Sequence, residues 1–167
     1  KINVKIKKTY IDDVNYINDL NGNINFNNNK INNLELESTF PNKKKIILTI
    51  KTNNNSETIT KLLTAYPKPL IKRYDFIKGF EEGYLNFFSS KKEGVSNSVL
   101  IIDNFKVQEV PVFAKILSLA SLQGIADLLT GEGIRFTDFE MNFSNQKGVT
   151  TIDEMYAIGP AVSILMD

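Results

Sequence analysis

The fold class follows from the stretch Ile2-Asn3-Val4-Lys5-Ile6-Lys7, in which apolar and polar side chains strictly alternate. Successive side chains of a β-strand point to opposite faces, so this pattern predicts a strand with one buried and one wet face. The same alternation returns in residues 34–40 and in residues 46–50. Residues 1–51 are therefore predicted to form a meander of short antiparallel strands with one solvent-facing side.

Turn-forming residues separate these strands. Asn21-Gly22 lies between apolar flanks, a pattern typical of a tight hairpin turn. Residues 27–30 predict a polar loop, and Pro41-Asn42 is expected to end a strand.

The middle of the chain changes its spacing. In residues 56–66 the apolar residues are spaced as in a helix, which Ser56 would cap and which Pro67 and Pro69 would end. Alternation then resumes and predicts further strands at residues 84–88, 99–107, 139–143, 150–157 and 161–166.

One long block, residues 111–130, is strongly helical in pattern. Pro111 suits a first helical turn and Gly131 a C-terminal cap. The block is broadly apolar, so it is expected to pack on the sheet or, alternatively, to meet lipid or a partner. The predicted fold is mainly β (α+β): one domain over residues 1–167, a curved antiparallel sheet with an apolar helical block near residues 111–130.

Composition excludes several function classes. The chain has 167 residues, a net charge of +1, no Cys and no His. Thiol nucleophiles, His-dependent triads and most transition-metal sites are thereby removed. No run of charge points to nucleic acid. We expect no catalytic residues, no metal site and no cofactor.

Charge is distributed unevenly along the chain. Residues 1–96 carry a net charge of +6 and residues 97–167 a net charge of −5. This asymmetry indicates mutual attraction of the two halves within one fold, or alternatively a basic face that meets anionic lipid.

A longer pattern covers residues 102–136. It comprises a strand ending in Asp-x-Phe, a Pro, a Leu/Ala-rich helical segment with a Ser-Leu-x-Gly break, a Leu-Leu pair, and Gly-Glu-Gly-Ile-x-Phe. In this order the pattern resembles the C-terminal region of the AsmA-like bacterial envelope proteins, most of all their large YhdP-type members. The matching residues are Phe105, Pro111, Leu117, Ser121, Leu122, Gly124, Leu128, Leu129, Gly131, Gly133, Ile134 and Phe136. Beyond this pattern, Gly159 matches the family's following strand.

The resemblance implies a function. AsmA-like proteins are anchored in the inner membrane, extend through the periplasm and are similar to bridge-like lipid transfer proteins. This chain would then be a distal, C-terminal excerpt of a much larger protein. Phospholipid would move along the apolar face of its sheet toward the inner leaflet of the outer membrane.

The helical block would act as a lid on the sheet or as a membrane-docking element. The residues expected to contact lipid or membrane are Val112, Phe113, Ile116, Leu119, Phe139, Met141 and Phe143. Two other functions remain open: a periplasmic scaffold domain that binds protein rather than lipid, and an enzyme acting on envelope glycans or lipids.

Overall fold

A computed structural model describes residues 1–27, 29–74, 77–109, 130–131 and 133–166 of the chain. These residues form ten strands and one short helix. The elements are β1 (Ile2–Tyr10), β2 (Tyr16–Asn27), β3 (Lys30–Thr39), β4 (Lys45–Thr52), β5 (Thr58–Thr64), α1 (Lys68–Tyr74), β6 (Phe80–Lys92), β7 (Val95–Val107), β8 (Ile134–Gln146), β9 (Val149–Ile158) and β10 (Ser163–Met166).

All ten strands belong to one open antiparallel sheet, and their spatial order is their order in the chain. Each strand pairs only with its sequence neighbours, so β1 and β10 are the two edges. The mainly β class and the antiparallel meander are confirmed. The strands are longer than predicted, because β6, β7 and β8 each run for 13 residues.

The predicted helix over residues 56–66 is wrong. Thr58–Thr64 is strand β5, paired on one side with β4 and on the other with β6. Leu62 and Leu63 project to opposite faces of this strand. A strand that is apolar on both faces imitates helical spacing, and pairing on both sides decides in favour of the strand. Pro67 and Pro69 do not end a helix: Pro67 directly precedes α1, where its carbonyl oxygen accepts a hydrogen bond from the amide of Ile71 (3.0 Å), and Pro69 lies in the first turn of α1.

The predicted hairpin turn at Asn21-Gly22 is also wrong. Gly22 lies inside β2, opposite Val4 on one side and Leu36 on the other. A Cβ atom at Gly22 would lie 1.8 Å from the carbonyl oxygen of Glu35. Close approach of two backbones therefore requires this glycine. The polar loop predicted near residues 27–30 does connect β2 to β3.

The two ends of the sheet differ. Short turns join strands at one end, as at residues 93–94 and 147–148. Longer connections lie at the other end, among them residues 65–79, which carry α1. We call this second end the long-loop end. Residues 111–129 of the predicted helical block over residues 111–130 lie outside the described residues.

The core lies at the long-loop end of β6 to β9. Ile71 of α1 is buried there with Leu85, Leu100 and Ile102, so α1 lies on the side of the sheet to which these side chains point. Phe105 stacks between Phe80 and Phe136, with ring centroids 5.3 Å and 5.2 Å apart. The core therefore ties α1 to three neighbouring strands.

An irregularity at one level of the sheet keeps these rings on the core side. The pairing of β6, β7 and β8 is continuous except that one level, at Gly83, Asn104 and Thr137, is skipped. Gly83 and Asn104 both have positive φ, +85° and +52°. The alternation of side chains restarts after this level, so that Phe105 shares a face with Ile102.

Replacing Ile102 with Ala tests the position of the core. Ile102 is fully buried, so we expect Ile102→Ala to lower the free energy of unfolding by about 2–5 kcal/mol. The matched control is Ile101→Ala, at the next residue on the opposite, half-buried face, which should cost less than half as much. Urea denaturation followed by circular dichroism measures both. Equal losses of unfolding free energy in the two variants would show that the core does not lie on the face to which Ile102 points.

Candidate functional site

The register of the sheet gathers apolar side chains from all ten strands on one face. We call this the apolar face, and its middle row crosses the whole sheet with Gly22 as its one residue without a side chain. The middle row contains Val4, Gly22, Leu36, Leu48, Leu62, Phe87, Leu100, Met141, Met155 and Met166.

Two further rows flank the middle row. The row toward the long-loop end is interrupted by the buried polar side chains of Ser38 and Thr64. Its apolar members are Ile6, Leu20, Ile46, Leu85, Ile102, Phe139, Ala157 and Ile164. The other row is apolar at Ile24, Leu34 and Ile50, but Thr60, Ser89 and Ser98 interrupt it. Ser98 donates a hydrogen bond to Ser89 (2.9 Å), so these two hydroxyl groups satisfy each other within the row.

Exposure divides the apolar face into two parts. In β6 to β9 the side chains near the long-loop end are buried, as Leu85 and Phe139 are. In β2 to β5 most are only half-buried, including Leu36, Leu48 and Leu62. We call these three side chains the open patch. Apolar surface left accessible in this way is available to a ligand or a partner.

The open patch is continuous with the core. Leu62 packs against the buried cluster that includes Ile71 of α1 and Phe80 of β6. Aromatic side chains also pack at the long-loop end of β3. Phe40, the residue after β3, is buried and its ring centroid lies 5.1 Å from that of Tyr66.

The opposite face is predominantly polar. Lys45 pairs with Glu37 (2.6 Å) and Lys51 with Glu35 (2.9 Å), both as exposed ion pairs across β3 and β4. On β9 the hydroxyl of Tyr156 donates to Glu140 (2.9 Å), and this bond raises the pKa of the tyrosine. Exposed ion pairs contribute little to stability, so we assign these charged side chains no role beyond contact with water.

An apolar depression interrupts the polar face in the middle of the sheet. It has a volume of about 270 Å³ and lies over β4 to β7, where Ile47, Leu63 and Tyr84 line it. Leu63 is 42% exposed and Tyr84 56%. These side chains form a small, separate apolar surface that the sequence did not single out.

The structure separates the three predicted contact residues of β8. Phe139, Met141 and Phe143 share the apolar face, as their alternation predicts. Phe139 is 5% exposed and belongs to the core, whereas Met141 and Phe143 are half-buried. The ring of Phe143 lies 6.4 Å from that of Phe87. Only Met141 and Phe143 are therefore placed to touch a ligand.

Several residues of the AsmA-like pattern meet at the long-loop end of β7 to β9. Phe105, Ile134 and Phe136 are buried together in the core. A Cβ atom at Gly133 would lie 2.7 Å from the carbonyl oxygen of Val107, and one at Gly159 would lie 2.3 Å from that of Arg135. These residues serve packing and close backbone approach. Gly131 has a φ of +68°, the conformation of a helix C-cap glycine.

The remaining predicted site residues lie outside the described residues. They are Pro111, Val112, Phe113, Ile116, Leu117, Leu119, Ser121, Leu122, Gly124, Leu128 and Leu129. Their roles as lid or docking element stay predictions.

Sequence reasoning missed the open patch as a site. The alternation at Leu36 and Leu48 marks both as inward-facing, but nothing in the sequence distinguishes a half-buried leucine from a fully buried one. The helical interpretation of residues 56–66 gives no reason to place Leu62 on the same face of a sheet as Leu36 and Leu48. Only the register, which sets these three residues side by side, reveals the patch.

Comparison with protein-family models, with curated proteins and with solved structures finds no match for this chain. Among the described residues, no helix has the length and apolar character needed to span a membrane. Within the same ranges, Asp and Glu side chains form no group of three that could hold a metal ion.

The exposure of the open patch is tested by cysteine labelling, since the chain has no cysteine of its own. We expect the thiol of Leu48→Cys to react with a maleimide in the folded protein. That of Ile102→Cys should react on the order of 100-fold more slowly, because it needs an opening of the core. Labelling rates followed by mass spectrometry give the comparison, and equally slow rates would show that the patch is covered.

Proposed function

We propose that this chain is a lipid-binding module of an AsmA-like envelope protein, in which phospholipid acyl chains lie on the apolar face of the sheet. The observation that carries the proposal is the middle row of apolar side chains, which crosses the sheet with a gap only at Gly22 and is half-buried at Leu36, Leu48 and Leu62. The resemblance of residues 102–136 to AsmA-like proteins supports the same function. It also supports a location in the periplasmic part of a bacterial envelope protein.

The dimensions favour an acyl chain as the occupant. Nine spacings of about 4.8 Å between ten strands make the sheet about 43 Å wide. The hydrocarbon core of a whole bilayer is about 30 Å thick, so one acyl chain needs about 15 Å. Such a chain can lie across several strands without leaving the apolar face.

The energetics favour it as well. Removal of a CH₂ group from water contributes about 0.8 kcal/mol, so a sixteen-carbon chain gains on the order of 10 kcal/mol before ordering costs are subtracted. No side chain has to react in this process, and the headgroup stays hydrated. The function therefore needs neither a catalytic residue nor a cofactor.

A second candidate function is a periplasmic scaffold that binds protein. The apolar depression on the polar face favours it, because Leu63 and Tyr84 are exposed there and lie away from the apolar face. A protein partner would cover that depression, whereas the acyl-chain proposal makes no use of it.

Mass spectrometry of organic extracts from the purified protein tests the lipid proposal. We expect phospholipid in extracts of the wild type. The triple variant Leu36→Gln, Leu48→Gln, Leu62→Gln should retain several-fold less, because three buried apolar contacts with the acyl chains are replaced by polar ones.

The matched control is the triple variant Glu35→Gln, Thr49→Gln, Lys61→Gln. These residues lie on the same three strands, directly opposite one another on the polar face. Circular dichroism and size-exclusion chromatography establish that each variant is folded. If the open-patch variant is unfolded, Leu48→Cys with a polarity-sensitive fluorophore replaces it, and a blue shift on adding phospholipid is expected. Absence of lipid from folded wild-type protein would overturn the proposal in favour of the scaffold.

A further inference from the structure

A depression lies on the apolar face at the end of the sheet opposite to the long-loop end. We call this the short-turn end, because the turns at residues 93–94 and 147–148 lie there. The depression has a volume of about 350 Å³, within the range of about 300–1,000 Å³ that small-molecule sites occupy. It lies over the ends of β2 to β5 and is lined mainly by hydroxyl and amide side chains.

The depression continues the open patch along β4 and β5. Thr52 lies four residues from Leu48, and Thr58 lies four residues from Leu62, so side-chain alternation places all four on the apolar face. Four residues of a strand span about 13 Å. Ile50 lies between Thr52 and Leu48 and is half-buried. Accessible apolar surface therefore connects the depression to the open patch.

Two lysines give the depression a positive charge. Lys30 lines it, and Lys91 lies directly opposite Thr58 on the next strand. Both lysines are exposed, and among the described residues neither ammonium group takes part in an ion pair or a hydrogen bond. None of the described residues that line the depression is Asp or Glu.

The carboxylates near these lysines are directed elsewhere or unpaired with them. Glu57 precedes β5, and its carboxylate accepts hydrogen bonds from the Ser90 hydroxyl and the Asn53 amide. Ser90 follows a residue of the apolar face, so its side chain lies on the polar face, and Glu57 is held there. Glu93 lies in the turn after β6 and forms no ion pair with Lys91 in the described part of the chain.

Uncharged donors complete the lining. The amides of Asn27 and Asn32 and the hydroxyl of Ser56 are exposed, and none of these groups has a hydrogen-bond partner among the described residues. The hydroxyl groups of Thr52 and Thr58 lie 3.0 Å apart and satisfy each other. Ammonium, amide and hydroxyl donors without a carboxylate suit an anion with several acceptor oxygens, such as a phosphate ester.

The other end of the open patch offers no such donors. In the row toward the long-loop end, Ser38 and Thr64 are buried, and their hydroxyl groups donate to the carbonyl oxygens of Asn18 and Lys45. These hydroxyl groups are already satisfied and out of contact with water. A headgroup that needs hydration and donors is therefore favoured at the short-turn end.

We infer that this depression binds the phosphate of a phospholipid headgroup, from which an acyl chain runs along β4 onto the open patch. An acyl chain needs about 15 Å, half the thickness of a bilayer core, and about 13 Å separates Thr52 from Leu48. Leu34, beside Ile50 on β3, is 6% exposed, so β4 is the more accessible path. This inference rests on the proposed function, because it assigns the headgroup and the direction of the same ligand.

The test uses short-chain lipids that dissolve as monomers. Isothermal titration compares dioctanoyl-phosphatidylglycerol with dioctanoylglycerol, which has the same chains and no phosphate. We expect the wild type to bind the phospholipid about 10- to 30-fold more tightly, as two lysine–phosphate contacts would give. Salt should reduce this difference, since exposed charges are screened.

The double variant Lys30→Gln, Lys91→Gln should lose the preference for the phospholipid while it keeps its affinity for dioctanoylglycerol. The matched control is Lys43→Gln, Lys44→Gln, which removes the same charge in the connection between β3 and β4, at the long-loop end, and should keep the preference. Leu48→Gln should weaken the binding of both lipids several-fold, because both place their chains on the open patch. Circular dichroism establishes that each variant is folded.

Each outcome has one meaning. Equal binding of the two lipids by the wild type, or an equal loss of preference in the control variant, would overturn the headgroup site and leave the apolar face intact. Binding of neither lipid would overturn the proposed function itself. If inorganic phosphate bound as tightly as the phospholipid, and with the same dependence on Lys30 and Lys91, the site would take free phosphate and the inference would fail.

Discussion

The structure depends on the register between neighbouring strands. Because every strand pairs only with its sequence neighbours, each hairpin connection sets the alignment of one pair, and nine aligned pairs bring apolar side chains into rows. A shift of one residue in any pair would turn the side chains of the following strands to the opposite face. Gly22 permits the close approach of its backbone to that of Glu35, and the skipped level at Asn104 returns Phe105 to the side of Ile102.

The same sheet is a packed core in one part and an accessible surface in another. Near the long-loop end of β6 to β9, the stacked rings of Phe80, Phe105 and Phe136 and the contact with Ile71 remove the apolar face from solvent. Over β3 to β5 the open patch has no such cover among the described residues.

The proposed ligand matches the shape and polarity of the open patch. The open patch is apolar and extended, which favours acyl chains over a compact ligand. Binding of acyl chains involves no bond making, so the absence of His and Cys from the chain poses no difficulty for the proposal.

The sequence by itself determined the class of the fold and the polarity of its faces. Period-two alternation in β1, β3, β4 and β8 is a local property, which pairing with any neighbour preserves. Prediction from local pattern failed at Leu62, because a strand that is apolar on both faces has the spacing of a helix. It failed again at Gly22, because a glycine required by close backbone approach looks in the sequence like a turn residue. The open patch was decided only by the tertiary structure. Burial and juxtaposition depend on which strands lie side by side and on where α1 packs, and no pattern within one segment contains that information.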